Sequence, residues 1–492
     1  MPLVYRLHYA PDIDQNWAVN PGVCGVMSGM AVDRKGNLST ICRDGGGGFT
    51  VTGTDALHAE IFQQTSGSVR FLVFRKQSID EYDSAGTRTN RGSGYNASTV
   101  DWDAVAWGNQ IIACNYLDAT QSSTGGAFSG LGGGAPKARY VAANVNFVMF
   151  ADVNDGGSNV YSDMVWWSGV RNPNTYTPSQ ATQAGAIRLL DVPGPITRVV
   201  AFGDKFVAFK DGGIFLGQYV GPPYVFSWKL VSLIGCSFPK SVVEVGGRLF
   251  FAHRTGVFMF DGTSVENVGY GVWSSIKAWY YDGGAYNLRA CVDDEDGTVW
   301  ILTSSQSAGA WRMYAHPFNV NAKAWAFSDH ITTSQTIAGG GERPVPVIAS
   351  NAERISFDAA TNTDFVGFLY LDNGATPQLT RVSLATDADG VGSFTTGFIG
   401  SNDGHASLTR IYPRIISGLS EPVQTATVYT YNNERSIAVG AESVASFVWN
   451  DVNETIDGTV SGRYIRIAMT FPSQKYVLLA GLGVDAKAAG KR

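Results

Sequence analysis

The sequence predicts an all-β protein: an irregular β-propeller with an additional β-sandwich-like platform or docking domain. Three observations predict it. Short alternating runs of apolar and polar residues recur along the chain, separated by turns of Gly, Asp and Asn, a pattern typical of antiparallel strands. These turns come at similar intervals over the first two thirds of the chain. After about residue 345 the runs become longer, which indicates a second kind of domain.

The composition agrees with a turn-rich β protein. Among 492 residues there are 58 glycines, and 12% of the chain is aromatic. Charged residues make up only 16%, below the roughly 25% of an average soluble domain. The net charge of −6 excludes the basic footprint of a protein that grips nucleic acid. A mildly acidic wall is nevertheless compatible with DNA that must slide past without sticking.

The repeated unit is represented by "VGGRLFFAHRTGVFMFDG", Val245–Gly262, which predicts a turn at Gly246-Gly247, a strand, a turn at His253-Arg254 and a second strand. The first turns of successive units fall near residues 67, 109, 144, 203, 247 and 297. Their spacing of roughly 35 to 60 residues brackets the ~40–50 of propeller blades. One such unit cannot bury its own apolar face, and closing several into a ring removes exposed edges. A propeller is therefore favoured, with a series of β-sandwiches as the alternative.

Two segments interrupt the pattern. Asp118–Arg139 is rich in Gly and Ser, which predicts an exposed or mobile insertion. Arg171–Leu189 is rich in Pro, Asn and Thr, which predicts an ordered connection.

The predicted domain organisation has four parts. They are an N-terminal arm that packs with the C-terminal domain (1–50), a propeller-like domain (51–345), a linking β region (346–410) and a C-terminal β platform or docking domain with a basic tail (411–492).

The cysteines and the N-terminus bear on where the chain is made. Five scattered cysteines, with no paired motif, predict small buried hydrophobic residues rather than disulfides or a zinc site. The N-terminal stretch lacks the apolar core of a secretory signal, and no run approaches the ~18 apolar residues of a membrane-spanning helix. We therefore expect synthesis in a reducing cytoplasm and no membrane insertion.

The sequence offers no catalytic, cofactor-binding or metal residues. Its six histidines are isolated from one another, and hydrolase or phosphate-loop motifs are missing. We therefore expect a protein that is not an enzyme.

The segment "DVNDGGSNVYSD", Asp152–Asp163, is only a weak candidate for a cation site. It places Asp152, Gly157 and Asp163 at calcium-loop spacing. Its third ligand position, however, is Gly156, and strands rather than helices flank it.

Two aromatic stretches keep other functions open. "MVWW" (Met164–Trp167) and "AWYYDGGAY" (Ala278–Tyr286) could form a sugar platform, although such residues more often fill a core or an interface. The alternatives are therefore a carbohydrate-binding propeller for host receptor recognition and, less favoured, a propeller glycoside hydrolase with carboxylates in the ring mouth.

The order of motifs between Met164 and Gly262 is more specific than their spacing. The motifs are Trp167-Ser168, Ala184-Gly185, Gly194-Pro195-Ile196, Val207-Ala208-Phe209-Lys210, Gly221-Pro222-Pro223, Gly235, and the hairpin from Ser241 to Gly262. In this order they resemble the tail-hub or nozzle proteins of short-tailed bacteriophages (podoviruses), the family of the packaged-DNA stabilisation protein. The stretch Ser461–Gly490 is similar to the closing strand pair of that family, and the resemblance covers about half of the chain.

The resemblance implies a virion protein of the phage tail, assembled in the host bacterial cytoplasm. It implies a homo-oligomeric ring, commonly a homohexamer, beneath the portal and adaptor proteins of the head-to-tail connector. Such a ring extends and closes the DNA channel, retains the packaged double-stranded DNA that later passes through it without sequence specificity, and anchors tail fibre, spike or needle proteins. The family brings no catalytic residues and no cofactor.

Overall fold

The computed structural model describes residues 5–15, 19–44, 51–52, 55–83, 85–154, 159–279, 288–293, 296–307, 310–329, 345–349, 367–372, 378–383, 392–400, 405–417, 425–431, 441, 443–450, 455–471 and 477–488. Their regular structure is almost entirely β-strand. Within these ranges no helix has the length and apolar character needed to cross a membrane.

Five short strands precede the propeller. They are β1 (His8–Tyr9), β2 (Val23–Ser28), β3 (Met30–Val32), β4 (Leu38–Thr40) and β5 (Cys42–Asp44).

Six consecutive antiparallel units of four strands follow, which we call blades one to six. Blade one consists of β6 (Ala56–Gln63), β7 (Val69–Arg75), β8 (Ser78–Tyr82) and β9 (Arg88–Ser93). Blade two consists of β10 (Asp103–Trp107), β11 (Gln110–Cys114), β12 (Gln121–Ser123) and β13 (Ser129–Gly130). Blade three consists of β14 (Lys137–Ala143), β15 (Val148–Asn154), β16 (Val160–Trp167) and β17 (Gly185–Arg188). Blade four consists of β18 (Ile196–Phe202), β19 (Lys205–Lys210), β20 (Gly213–Gly221) and β21 (Val225–Ser232). Blade five consists of β22 (Val243–Val245), β23 (Arg248–His253), β24 (Gly256–Phe260) and β25 (Val265–Asn267). Blade six consists of β26 (Leu288–Asp293), β27 (Thr298–Ser307), β28 (Ala310–Asn319) and β29 (Ala324–Trp325).

The blades form a closed ring, so the predicted β-propeller is confirmed. The first strands of neighbouring blades lie side by side, as β6 with β10, β10 with β14, β14 with β18 and β22 with β26 do. A 3-10 helix, η1 (Pro239–Ser241), lies between blades four and five and contacts β18 and β26. Blade six meets blade one where Arg289 Nη2 donates a 2.9 Å hydrogen bond to the carbonyl of Leu57. The first strands therefore surround the ring axis.

The predicted first turns coincide with the turns between the first and second strands of the six blades. Gly67, Gly108, Gly203, Gly246 and Gly297 all have positive φ there. That conformation costs a residue with a Cβ about 1–2 kcal/mol, which is why glycine marks these turns so clearly. In the hairpin Val245–Gly262, however, His253 is the last residue of β23 rather than part of the turn.

The segment Asp118–Arg139, predicted as an exposed or mobile insertion, is exposed over much of its length but is part of a blade rather than an insertion. This segment supplies β12, β13 and the first residues of β14, and so completes blade two. Gly133 accepts a 2.8 Å hydrogen bond from the backbone N–H of Tyr176, whose side chain is fully buried. The glycines permit close backbone approach here rather than flexibility. The connection Arg171–Leu189 is ordered, as predicted.

The propeller core lies between the blades. Separate hydrophobic clusters fill the interfaces between blades one and two, two and three, three and four, and four and five. Phe206 in the third interface and Phe251 in the fourth are fully buried. Burying one such side chain contributes about 1.5–3 kcal/mol, so the ring is held together by side chains that alternate along each strand.

Within the described ranges, one α-helix, α1 (Trp273–Trp279), lies between blades five and six, and eleven strands follow blade six. They are β30 (Val345–Ala349), β31 (Gly367–Asp372), β32 (Gln378–Ser383), β33 (Ser393–Thr396), β34 (Ile399–Gly400), β35 (Ala406–Ser417), β36 (Thr425–Tyr431), β37 (Ser443–Asn450), β38 (Thr455–Gly462), β39 (Tyr464–Thr470) and β40 (Leu478–Ala488).

The first three of these strands make the propeller irregular. β30 pairs in parallel with the inner edge of β6, with Val347 opposite Ala59. The sheet continues through β31 and β32 to β5, so the sheet of blade one contains eight strands.

The remaining strands form a twelve-stranded sheet, which we call the platform. Its order is β1-β2-β33-β39-β36-β37-β38-β35-β40-β4-β3, with β34 on the side of β39. The N-terminal β1 to β4 therefore lie in the same sheet as the C-terminal strands, and Leu38 of β4 pairs with Leu479 of β40.

The platform and the propeller share one hydrophobic core. Its buried members include Phe394 and Leu482 from the platform, Phe250 from blade five and Trp325 from blade six. The backbone N–H of Met30 also donates to the carbonyl of Phe327 at 3.2 Å. Because these contacts are buried and apolar, the platform is fixed to one side of the ring.

Candidate functional site

Seven ionisable side chains, from first strands and from residues just before them, lie together at the propeller axis, and we call them the axial cluster. They are His58, Glu60, Asp101, Asp103, Arg198, Lys240 and Arg289. They come from blade one, blade two, blade four, η1 and blade six. An axial cluster of this kind must be paired internally, because an isolated buried charge costs several kcal/mol.

Asp103 is the centre of the cluster. Its Oδ1 lies 2.5 Å from Arg198 Nη1 and 3.2 Å from Lys240 Nζ, and its Oδ2 accepts a 2.9 Å bond from the backbone N–H of Val141. Burial alone would raise the pKa of Asp103, but the charges of Arg198 and Lys240 outweigh it and hold that pKa below its ordinary value. Asp103 is therefore an ionised carboxylate and joins four parts of the ring.

Lys240 crosses the axis. In a six-bladed ring blade two stands opposite blade five, and Lys240 immediately precedes blade five. Its Nζ reaches the carbonyl of Trp102 at 2.6 Å and Asp101 Oδ2 at 3.4 Å. The side chain is only 4% exposed. The axis is thus closed by side chains that extend from one side of the ring to the other.

Arg289 spans the junction between blade six and blade one. Its Nη2 lies 3.7 Å from Asp101 Oδ1 and also donates to the carbonyl of Leu57, across the junction of blades six and one. The same guanidinium therefore joins the two ends of the ring.

His58 and Glu60 form a separate pair within the cluster. His58 Nε2 lies 3.0 Å from Glu60 Oε2. Burial and then the charge of Asp103 raise the pKa of Glu60 well above its usual value, against Lys240 and Arg198. Burial, together with Lys240, Arg289 and Arg198, lowers the pKa of His58 well below its usual value. Both shifts favour neutral groups that share one hydrogen bond.

The arrangement of the axial cluster stabilises the ring more directly than it supports chemistry. Asp101 and Asp103 each contact cations, and the imidazole of His58 is held neutral. A general acid or base needs a pKa near the working pH and access to substrate. Asp101 and Asp103 are buried against cations, and the pKa of Asp103 lies below its ordinary value, so this pair does not favour the hydrolase alternative.

The axial cluster was not predicted from the sequence, because His58 has no second histidine at a recognisable spacing. A usable signal was present: His58 and Glu60, and likewise Asp101 and Asp103, are two residues apart near the start of successive units. Residues two apart on a strand share a face, so each pair points to one side of an inner strand.

A second polar group joins the arm, α1 and blade six. Tyr9 OH lies 2.9 Å from Ser275 Oγ, which lies 3.0 Å from His316 Nε2. Burial lowers the pKa of His316 to about 3. Such a histidine accepts the serine proton in a hydrogen bond but is a weak base, so this group positions α1 rather than activating Ser275.

In the weak cation candidate Asp152–Asp163, the two terminal carboxylates are bound by arginines. Asp152 Oδ2 accepts a 2.7 Å bond from Arg139 Nε, and Arg188 binds both oxygens of Asp163 at 2.8 and 2.7 Å. The tip of this loop, 155–158, lies outside the described residues. Among the residues that the structure describes, no group of three metal-ligating side chains occurs.

The first aromatic stretch is part of the core. Trp167 is 4% exposed, and its Nε1 donates to the carbonyl of Gln183. Trp166 Nε1 donates to the carbonyl of Tyr176. Both indole N–H groups are bound by backbone carbonyls, and Trp166 is partly buried against the blade core, so this stretch contributes mainly to packing. Most of the second stretch lies outside the described residues.

The cysteine prediction is confirmed for the four that are described in full. Cys24, Cys114, Cys236 and Cys291 are buried free thiols. Burial raises the pKa of Cys236 to about 12, so this thiol is unreactive at neutral pH.

No family model matches the sequence, and no curated protein matches it. Several solved structures are similar in fold. Virginiamycin B lyase from Staphylococcus aureus is 8% identical, with a TM-score of 0.43 over 69% of this chain and 98% of the other. A streptogramin B lyase is 11% identical, with a TM-score of 0.39 over 70% and 98%. The computationally designed Ika8 protein is 10% identical, with a TM-score of 0.37 over 68% and 98%. These likenesses bear on no activity or partner of this chain.

Proposed function

We propose that this chain is a structural virion protein that forms the tail nozzle, or hub ring, of a short-tailed bacteriophage. In this role it is a homo-oligomer, most simply a hexamer, that lies below the portal and adaptor proteins. The ring extends and closes the DNA channel, retains packaged DNA and anchors fibre, spike or needle proteins. It is assembled in the host bacterial cytoplasm and acts without catalysis or cofactor. The ordered resemblance between Met164 and Gly262 supports this proposal.

The closed propeller axis supports a DNA channel built from several copies of the chain. Lys240 extends across the centre to Asp103, and Arg289 joins the first and last blades. Double-stranded DNA therefore has no path through the propeller itself. A DNA channel must be enclosed by several copies of the chain, with each propeller serving as a solid building block.

Two further properties suit this role. The shared hydrophobic core fixes the platform to the propeller, so a mechanical force on the platform is transmitted to the propeller. The chain also has few charged residues and a net charge of −6, which limits phosphate contacts and lets DNA slide.

The test is the assembly state of the purified full-length chain. Native mass spectrometry gives the number of copies, and cryo-EM class averages show whether a pore lies between them. We expect a closed ring with a central pore. A monomer at every concentration tested would overturn the proposal, and specific binding on a glycan array by that monomer would favour the carbohydrate-binding alternative.

A further inference from the structure

The outer hairpin of blade four ends in an exposed apolar surface, which we call the tip patch. β20 and β21 continue beyond the part of β20 that pairs with β19, and their turn is Gly221-Pro222-Pro223-Tyr224. The exposed side chains of the tip patch are Tyr219, Val220, Tyr224 and, from the neighbouring turn of blade three, Val145. Tyr224 is 79% exposed and Val145 is 84% exposed. Several exposed large apolar side chains at one end of two neighbouring blades favour an interaction surface.

The tip patch is held in place rather than loose. Tyr219 OH donates a 2.7 Å hydrogen bond to Gln183 Oε1 of blade three. The Tyr219 ring lies 5.5 Å from that of Phe147 and 6.0 Å from that of Phe226. A surface that is ordered before binding loses less conformational entropy when it binds.

A second apolar surface lies at the opposite end of the same two blades, and we call it the base patch. Its members are Leu190, Leu233 and Ile234, which are 65%, 75% and 38% exposed. Lys210 Nζ donates to the carbonyl of Leu189 at 2.6 Å and so holds the end of blade three against blade four. The two patches are separated by the length of β20, nine residues or about 27 Å.

Each patch has one exposed charged residue beside it that can form a pair between copies, and these two residues are opposite in sign. Arg171 lies next to the tip patch, where its Nε donates to Asn146 Oδ1 at 3.2 Å, and it has no carboxylate partner among the described residues. Asp191 directly follows Leu190 of the base patch and is exposed. Two copies placed tip to base would bring a cation towards an anion.

We propose that the tip patch of one copy binds the base patch of the next, with Arg171 facing Asp191 across the contact. This inference rests on the proposed function and names the surfaces that join the ring. A ring built head to tail needs two different patches on each subunit, which one self-complementary surface cannot supply. The tip and base patches meet that requirement.

The experiment uses full-length variants in each patch. Tyr224→Asp places a charge in the tip patch, and Leu233→Asp places one in the base patch. Tyr270→Asp is the matched control, because Tyr270 is 78% exposed but belongs to neither patch. Circular dichroism and thermal unfolding verify that all three variants fold.

We expect each patch variant alone to be monomeric at a concentration where the wild type forms rings, and the control to form rings. An equimolar mixture of the two patch variants should give dimers, because the intact tip of one can still bind the intact base of the other. A mixture that remains monomeric, or a patch variant that retains the wild-type mass, would overturn the inference.

The charge pair provides a second test. Arg171→Asp and Asp191→Arg should each weaken assembly at least tenfold at low salt, and the double variant should recover most of the loss. A double variant no better than either single variant would contradict the pairing. If the wild type itself is monomeric, the proposed function fails as well. If the wild type forms rings that no patch variant disturbs, only this inference fails.

Discussion

Lys240 and Asp103 are 137 residues apart in the sequence, yet Lys240 Nζ lies 3.2 Å from Asp103 Oδ1 at the centre of the ring. The ammonium arrives from the linker before blade five and the carboxylate from blade two. Because those blades stand opposite one another, the pair forms only when the ring is complete. It therefore reports on ring closure rather than on the stability of any one blade.

Replacing Lys240 with Met should be strongly destabilising. The substitution leaves Asp101 and Asp103 with one fewer cation in a buried site, and breaking a buried pair costs about 3–5 kcal/mol. Urea unfolding followed by tryptophan fluorescence measures the loss. Lys323→Met is the control, because Lys323 is 64% exposed and its ion pair with Glu266 is worth at most about 1 kcal/mol.

The double variant Lys240→Met with Asp103→Asn tests the coupling. If the cost arises from an uncompensated charge, neutralising Asp103 should recover part of the stability lost by Lys240→Met. Additive losses at the two positions would show that they act independently.

His316 should make the folded state sensitive to acid. Its folded pKa is about 3 and its ordinary value is 6.5. The lowered pKa means that the stability from a neutral His316 is present above pH 6.5 and is lost as the pH falls towards 3. Each pH unit in that window costs about 1.4 kcal/mol for this one group.

The variant His316→Gln lacks this titration. Its free energy of unfolding, measured in urea at pH 7, 6, 5 and 4, should fall less steeply than that of the wild type by about 1.4 kcal/mol per pH unit below 6.5. His405→Gln serves as the control substitution. Parallel pH profiles for the wild type and His316→Gln would contradict the assignment.

The blades could be predicted from the sequence because their signals are local. A strand of alternating residues and a glycine turn, such as Gly246-Gly247, need only a few adjacent residues to specify them. The turns of all six blades were found in this way. The seven residues of the axial cluster were not, because they come from separate strands and meet only through the closure of the ring.

Amino-acid composition was a poor guide to local structure where contacts between distant residues determine it. The Gly- and Ser-rich segment Asp118–Arg139 resembles a flexible linker when it is considered alone. In the folded chain Leu131 donates its N–H to the carbonyl of Thr120, and the segment forms the outer strands of blade two. The tip and base patches were likewise hidden in sequence, because each combines residues from blades three and four.

Calcium should not stabilise the protein. Asp152 and Asp163, the two ends of the candidate cation loop, are bound by Arg139 and Arg188. A cation would have to displace both guanidinium groups. The thermal midpoint should therefore be the same in millimolar calcium and in a chelator. A calcium-dependent rise that disappears in Asp163→Asn would establish a site after all.

Gly133→Ala should destabilise blade two far more than an ordinary turn substitution. Gly133 has a φ of +59°, and a Cβ built on it would lie 1.8 Å from the carbonyl oxygen of Asn174. That oxygen is backbone, so the connection Arg171–Leu189 would have to move and expose Tyr176.

Gly67→Ala is the matched control, because Gly67 also has positive φ but a Cβ there meets nothing within 4 Å. The control should cost about 1–2 kcal/mol, the cost of the left-handed conformation alone. Gly133→Ala should cost more than about 4 kcal/mol, in the range of severe core defects, and should speed proteolytic cleavage within Arg171–Leu189. Equal losses for the two variants would mean that the close approach at Gly133 can relax, and that blade two does not depend on it.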